Sequence, residues 1–274
     1  MRRFVLVLAA LSLAAPVALA ADTDRVTLVP GLEGTVTTLP QYARSSFDGD
    51  SGSWRGPTCV PRGRLDLAGP LSLTWAMGIY RAASAVDAGN QVRTFEWKPV
   101  EATTVRVPHV VAGRTIGMIP AAFVLTGSDS PAGYHESSLV FQLAGRRFVA
   151  AKAWSGGNSE GCVVDGDGPV VQWHRRVARQ ALAGLRFEGN LPPARVTARR
   201  SGRSVHGSVT DVNGHPLVGT RVSLERRSAG RWRVIARATT SATGAYTVRM
   251  RAAGLYRVAT SSGGATARSR TLRG

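Results

Sequence analysis

An α+β domain (an antiparallel sheet closed by a C-terminal packing helix) followed by an all-β sandwich is the architecture that this 274-residue sequence predicts. Three observations carry that reading. Charge divides the chain: residues 22–190 hold 17 Lys+Arg against 15 Asp+Glu, a net of +2, whereas residues 195–274 hold 16 arginines against Asp211 and Glu225 alone, a net of +14. Apolar residues alternate with period two through most segments, the pattern of half-buried strands. One segment, Gly168 to Phe187, switches to helical spacing.

The first twenty residues stand apart. Arg2 and Arg3 precede an apolar run from Phe4 to Ala15, and Ala18-Leu19-Ala20 has the small-x-small pattern of a signal-peptidase site. About 12 apolar residues are too few for a bilayer span, which needs roughly 20. The expectation is an exported chain beginning near Ala21, with no membrane span. About 250 remaining residues exceed one ordinary domain. The segment "GNLPPAR", with Pro192-Pro193, reads as a stiff linker at 191–194 between a first domain over 22–190 and a second over 195–274.

In the first domain, "LSLTWAMGIY" fits a helix and a strand equally, so periodicity does not decide it. "RTFEWKP", "TTVRVPHVV" and "RTIGMIPAAFVL" read as strands. "SSLVFQLAGRRFVAAKAW" reads as a hairpin around Ala144-Gly145, with Phe141, Leu143, Phe148 and Val149 in the core. In the helix from 168 to 187, Pro169 suits the first turn, and Val170, Val177, Ala181 and Leu185 form an apolar stripe. His174, Arg175, Arg176 and Arg179 lie on its solvated face. Cys59 and Cys162, an even count in an exported chain, predict one disulfide.

The second domain reads as about seven short strands at 8–12-residue spacing, punctuated by Gly and Asn turns, the signature of a sandwich. "RWRVIARATT" places Trp232, Val234 and Ala236 on one side and Arg231, Arg233 and Ile235 on the other. Within "VHGSVTDVNGHPLVGTRVSLERR", "TSATGAYTVRM" and "GLYRVATSSGG", the positions Gly207, Asp211, Gly214, Pro216, Leu217, Gly219, Val222, Leu224, Gly244, Tyr246, Gly254 and Tyr256 resemble the carboxypeptidase regulatory-like (prealbumin-like, Ig-like) modules of secreted bacterial proteins. The resemblance implies an Ig-like or prealbumin-like sandwich in an accessory role. It names no catalytic residue.

The chemistry is sparse. "FDGDSGSWRG" contains the G-D-S-G of trypsin-like proteases and the G-D-S of an esterase family, but no histidine precedes Ser51, no G-x-N-D follows it, and its flanks are polar and turn-like. A nucleophile needs a base within hydrogen-bond reach, and no catalytic residue is assigned. Convergence of Ser51, His135, Glu136 and His174 in one cleft would support the alternative, a secreted hydrolase with an appended accessory module. Asp48, Asp50, Asp165 and Asp167 are weak calcium candidates, since neither D-G-D stretch completes D-x-D-x-D-G. The histidines are far apart and form no H-x-x-x-H pair, so zinc is not expected and no cofactor is predicted.

What remains is the arginine surface. Arg199, Arg200, Arg226, Arg227, Arg231, Arg233, Arg249 and Arg251 are the anion-binding candidates, making a strongly positive field. Nucleic acid is disfavoured as the partner: there is no stacking platform beyond Trp232 and no recognition-helix pattern. The expectation is a secreted, non-catalytic, envelope-associated binding or accessory protein whose basic sandwich contacts anionic wall polymer. Neither the ligand nor the oligomeric state is read from the sequence.

Overall fold

The computed structural model describes residues 23–37, 39, 43–55, 72–93, 99–127, 135–156 and 168–274. The first domain supplies strands β1 (Thr23–Val29), β2 (Leu32–Thr37), β3 (Ala43–Asp48), β4 (Ser51–Arg55) and β5 (Ser72–Arg81), then helix α1 (Ala85–Val92). Next come β6 (Pro99–Val111), β7 (Arg114–Gly127), β8 (His135–Ala144), β9 (Arg147–Gly156), α2 (Gly168–Ala181) and β10 (Arg186–Gly189). The ten strands form one sheet in the order β1-β2-β10-β6-β7-β8-β9-β5-β4-β3.

This corrects the α+β expectation, because the domain is predominantly β. Two helices of 8 and 14 residues cannot cover ten strands. The sheet instead curls so that its β1–β2 end comes over β5, and a Cβ on Gly34 would sit 2.3 Å from the Met77 Sδ. Apolar residues from both arms then share one core, with Val26, Leu32 and Val36 joining Trp75, Phe123, Phe141 and Phe187. Helix α2 does pack on the sheet, through Val177, Ala178 and Ala181, and the Ser137 hydroxyl donates to the Ala178 carbonyl at 2.6 Å. On the opposite face of β8–β9, Val140, Phe148 and Ala150 meet Ala88 and Val92 of α1. Ser84 caps α1 by accepting from the Asp87 amide at 3.1 Å.

Three local expectations resolve. From Ser72 onward "LSLTWAMGIY" lies in strand β5, which pairs along its whole length with β9. The hairpin at Ala144-Gly145 forms as expected, with Phe141, Leu143, Phe148 and Val149 all buried. The long helix ends at Ala181, six residues short of Phe187. Residues 186–189 become β10, which pairs antiparallel with β2 and parallel with β6. This short strand joins the β1–β2 hairpin to the rest of the sheet, and Phe187 on it is wholly buried against Phe141, ring centroids 4.5 Å apart.

The second domain contains β11 (Arg195–Val196), β12 (Arg199–Ser201), β13 (Ser204–Thr210), β14 (Arg221–Ser228), β15 (Arg231–Thr239), β16 (Ala245–Arg249), β17 (Leu255–Ser262), β18 (Ala265–Arg268) and β19 (Leu272–Arg273). One layer groups β11, β12 and β16 around β13, and the other runs β15-β14-β17-β18 with β19 on β17. Their inner faces enclose Val205, Val209, Val222, Leu224, Tyr246, Tyr256 and Val258. The expected turn glycines Gly214 and Gly244 have φ of 83° and 71°, the left-handed region that glycine enters at no steric cost. Burial pushes the Tyr246 phenol pKa up, and its hydroxyl donates to the Thr197 carbonyl at 2.5 Å.

The alternation expected of β15 fails at one place. A bulge opposite Leu224/Glu225 shifts the register, so Val234 turns outward at 44% exposure while Ile235, Ala236 and Ala238 pack on the core. Trp232 does not line the core but lies under the Arg257 guanidinium, 4.3 Å from its ring centroid. The segment read as a stiff linker is packed: Leu191, Pro192 and Pro193 are buried. Pro192 lies against Gly263, Arg147 donates to the Gly263 carbonyl at 2.8 Å, and Asn190 bonds to Val218 in both directions. The two domains are therefore docked.

Candidate functional site

Two places in the fold concentrate chemistry, one at the surface and one buried between the domains. The surface site is a groove of about 850 Å³ where β12, β13 and β16 end, lined by Arg200, Arg203, Arg249 and Arg251 with Ser204, Met250 and Gly274. Strand alternation exposes Arg249 while Val248 faces the core. Arg203 enters from the β12–β13 turn, where Gly202 has φ of 55°. Arg200 is oriented by donating to the Gly202 carbonyl at 3.1 Å. Among the described residues no side-chain carboxylate lines the groove.

Of the eight anion-binding candidates, Arg200, Arg249 and Arg251 meet in this groove, joined by Arg203, which sequence reasoning left out. Arg199 lies exposed on β12 beside them. Arg226, Arg227, Arg231 and Arg233 belong to the other layer, on β14 and β15, where Arg226 sits across from Arg233. Arg226 is half-buried, its Nε without a hydrogen-bond partner among the described residues. The eight candidates are thus divided between two sheets. Arg257 is committed elsewhere, donating to Glu225 at 2.5 Å while stacked on Trp232.

Among the described residues, Ser51 is not brought beside His135 or Glu136. Ser51 opens β4 and pairs with Ala76, which pairs with Lys152, which pairs with Ser138 on β8. Three strand spacings of about 4.8 Å therefore separate Ser51 from the strand that begins with His135 and Glu136, roughly 14 Å. His135 and Glu136 are both buried. The side chain of His174 lies outside the described residues. Asp48 and Asp50 are exposed at the β3–β4 turn, whereas Asp165, Asp167, Cys59 and Cys162 lie outside the described residues. Among the described residues no helix is long and apolar enough to cross a membrane.

The buried site was not anticipated. The histidines that look far apart in sequence are brought together: His109 Nδ1 and His215 Nδ1 lie 3.0 Å apart, across the domain boundary. His109 projects from β6, and directly across the ladder on β7 stands Gly117. A Cβ there would fall 2.2 Å from His215 Nε2, so only glycine leaves the slot that the His215 ring fills. His215 comes from the turn after β13. Asp211 Oδ1 holds that turn by accepting from the Asn213 and His215 amides at 2.8 and 2.9 Å.

The protonation pattern is partly fixed by geometry. His109 Nε2 sits 2.7 Å from the Gly189 carbonyl, which can only accept, so the proton resides on Nε2 and Nδ1 presents a lone pair. Asp211 Oδ2 is 3.7 Å from His109 Nδ1 and 3.5 Å from His215 Nδ1, and among the described residues it has no hydrogen-bond partner, although the carboxylate is fully buried. Desolvation lowers the His109 pKa, opposed by the Gly189 carbonyl and Asp211 and reinforced by His215. Desolvation raises that of Asp211, opposed by its two amide donors and by both histidines. The available signal in the sequence was Asp211 and His215 four residues apart. Their third member lies 106 residues away in the other domain.

A further cavity of about 360 Å³ lies between β6–β7 and α2, its walls mostly apolar (Val105, Val107, Phe123, Leu139, Leu182 and Leu185), with the Glu101–Arg179 ion pair also lining it.

Comparison with solved structures finds overall similarity of low TM-score. The titin domains A168–A170 match at 12% identity and TM-score 0.21, covering 93% of this chain and 99% of that one. Native alpha-2-macroglobulin from Escherichia coli, domains MG0-NIE-MG1, matches at 12% identity and TM-score 0.24, covering 94% and 97%. A search of curated proteins gives no match. Residues 204–273 match the carboxypeptidase regulatory-like domain family, so the second domain is a module of that type.

Proposed function

We propose that this chain is an exported, non-catalytic envelope-associated binding protein, whose second domain holds it to an anionic wall polymer or polysaccharide. The carrying observation is the groove in which Arg200, Arg203, Arg249 and Arg251 converge without a side-chain carboxylate among them. A domain with net charge +14 adds a long-range field that draws a polyanion toward that groove. Arginine suits the task, because its planar fork pairs bidentately with carboxylate or phosphate. The leader at residues 1–20 supports export, and the curled first domain docks behind the module as its carrier.

Co-sedimentation of the full chain with purified anionic wall polymer, from low to high salt, tests the reading. Binding that fades steeply with salt, and that falls ~10-fold or more on changing Arg200, Arg203, Arg249 and Arg251 to Gln, is expected, because exposed charge pairs separated by more than a Debye length of about 8–10 Å are screened. Equal sedimentation of wild type and the quadruple variant, or none at low salt, overturns it.

A further inference from the structure

The buried His109–Asp211–His215 cluster has a geometry that hydrogen bonding alone does not explain. The polar atoms of its three side chains sit 3.0, 3.5 and 3.7 Å apart. Three points so spaced have an in-plane centre about 2.0 Å from each, and an ion raised out of that plane toward a fourth ligand sits about 2.1 Å from all three, within the Zn–N and Zn–O range. The mean separation also matches the edge of a tetrahedron around such an ion, about 3.3 Å.

The second independent observation is Asp211 Oδ2. A fully buried carboxylate oxygen is costly without a hydrogen-bond partner, and this one, which has none among the described residues, points toward two imidazole nitrogens that already touch each other. The Nε2–H bond from His109 to the Gly189 carbonyl is the outer-shell arrangement that orients a metal-bound imidazole and directs its Nδ1 lone pair at the ion.

We infer that His109, Asp211 and His215 form a binding site for a divalent zinc-like cation that clips the two domains together. Two borderline imidazole nitrogens beside one carboxylate favour zinc over calcium or magnesium, which take oxygen-only shells. The three ligands leave a position for water. With His109 and Asp211 side chains at 1% and 0% exposure and His215 at 15%, the site has little room for a substrate, and the role is structural. The ion would sit where β6 of the first domain meets the turn after β13 of the second, so each domain supplies only part of its shell. The site stands on different residues from the basic groove, and neither reading depends on the other.

The test uses the untagged full chain, stripped with a chelator, titrated with Co²⁺ and then Zn²⁺. One Co²⁺ per chain is expected, with visible d–d absorption of a four-coordinate ion that Zn²⁺ abolishes, and a melting temperature that rises with zinc concentration. His215→Asn is the informative variant, since it lies on a turn whose backbone Asp211 Oδ1 still holds, so the fold persists by circular dichroism. Its cation affinity is expected to fall by more than the ~10–100-fold lost on removing outer-shell partners alone. Asp211→Asn, which retains the turn-capping oxygen, is expected to behave alike. Wild type that takes up no Co²⁺, or binds it no better than His215→Asn, overturns the inference. Polymer binding in that variant is expected to be unchanged, so the two proposals fail separately.

Discussion

Replacing Asn190 is expected to loosen the whole molecule, although no catalytic or core apolar group is touched. Asn190 ends the first domain, and its side chain acts as a peptide group toward the second: Nδ2 donates to the Val218 carbonyl at 2.6 Å, and Oδ1 accepts from the Val218 amide at 3.0 Å. Each such bond contributes a net of about 1 kcal/mol, so Asn190→Ala should cost ~2 kcal/mol. For a chain of this size that corresponds to a fall of roughly 4–8 °C in melting temperature. Asn190→Asp separates bonding from volume. It is isosteric, keeps the acceptor, and sets a carboxylate against the Val218 carbonyl, so it should be at least as damaging as Ala. Urea unfolding followed by tryptophan fluorescence reads both variants, with an unchanged m-value expected if both states keep their compactness. Either variant lying within ~0.5 kcal/mol of wild type, the range of ordinary surface substitutions, would refute the reasoning that this amide clamp holds the domains together.

Phe187→Ala should cost about 3–5 kcal/mol in the same unfolding assay, because a fully buried ring is removed from the strand that joins the β1–β2 hairpin to the rest of the sheet. Tyr246 has a phenol pKa raised by burial, so the unfolded chain ionises above about pH 10 while the folded one stays protonated. Stability is therefore complete below that pH and lost as pH rises beyond it. Ultraviolet titration should show Tyr246 ionising only on alkaline unfolding, and Tyr246→Phe should remove that component of the alkaline loss. Cys59 and Cys162 follow strands β4 and β9, whose ends Arg55 and Gly156 both pair with Ser72 and so lie roughly two strand spacings, ~10 Å, apart. Non-reducing peptide mapping should find the two cysteines joined, and a double Cys→Ser variant should lose up to ~4–5 kcal/mol.

The second domain was legible in the sequence because its information is local. Period-two alternation, Asn213-Gly214 and Gly244 specify strands and turns within a few residues of themselves, and Val205, Val222, Tyr246 and Tyr256 fall inside as that alternation requires. The same rule failed at β15, where a bulge moved Ile235 inward and Val234 outward, since a bulge is decided by the partner strand rather than by the strand's own pattern. The first domain was legible only in pieces. Its hairpin and strands could be read, but not that four residues after a helix, Arg186–Gly189, would join two distant parts of one sheet and make it curl.

The sequence by itself determined the charge split, the strand content and the sandwich. Only the tertiary structure decided which arginines meet. It gathered Arg200, Arg203, Arg249 and Arg251 and sent Arg226, Arg227, Arg231 and Arg233 to the other layer, because alternation fixes whether a side chain faces out but not which sheet it faces out from. Tertiary structure alone also placed His109 against His215, through a missing side chain at Gly117 and the docking of two domains. A three-residue shell spread over 106 positions has no spacing to read, since its geometry exists only after the chain has closed.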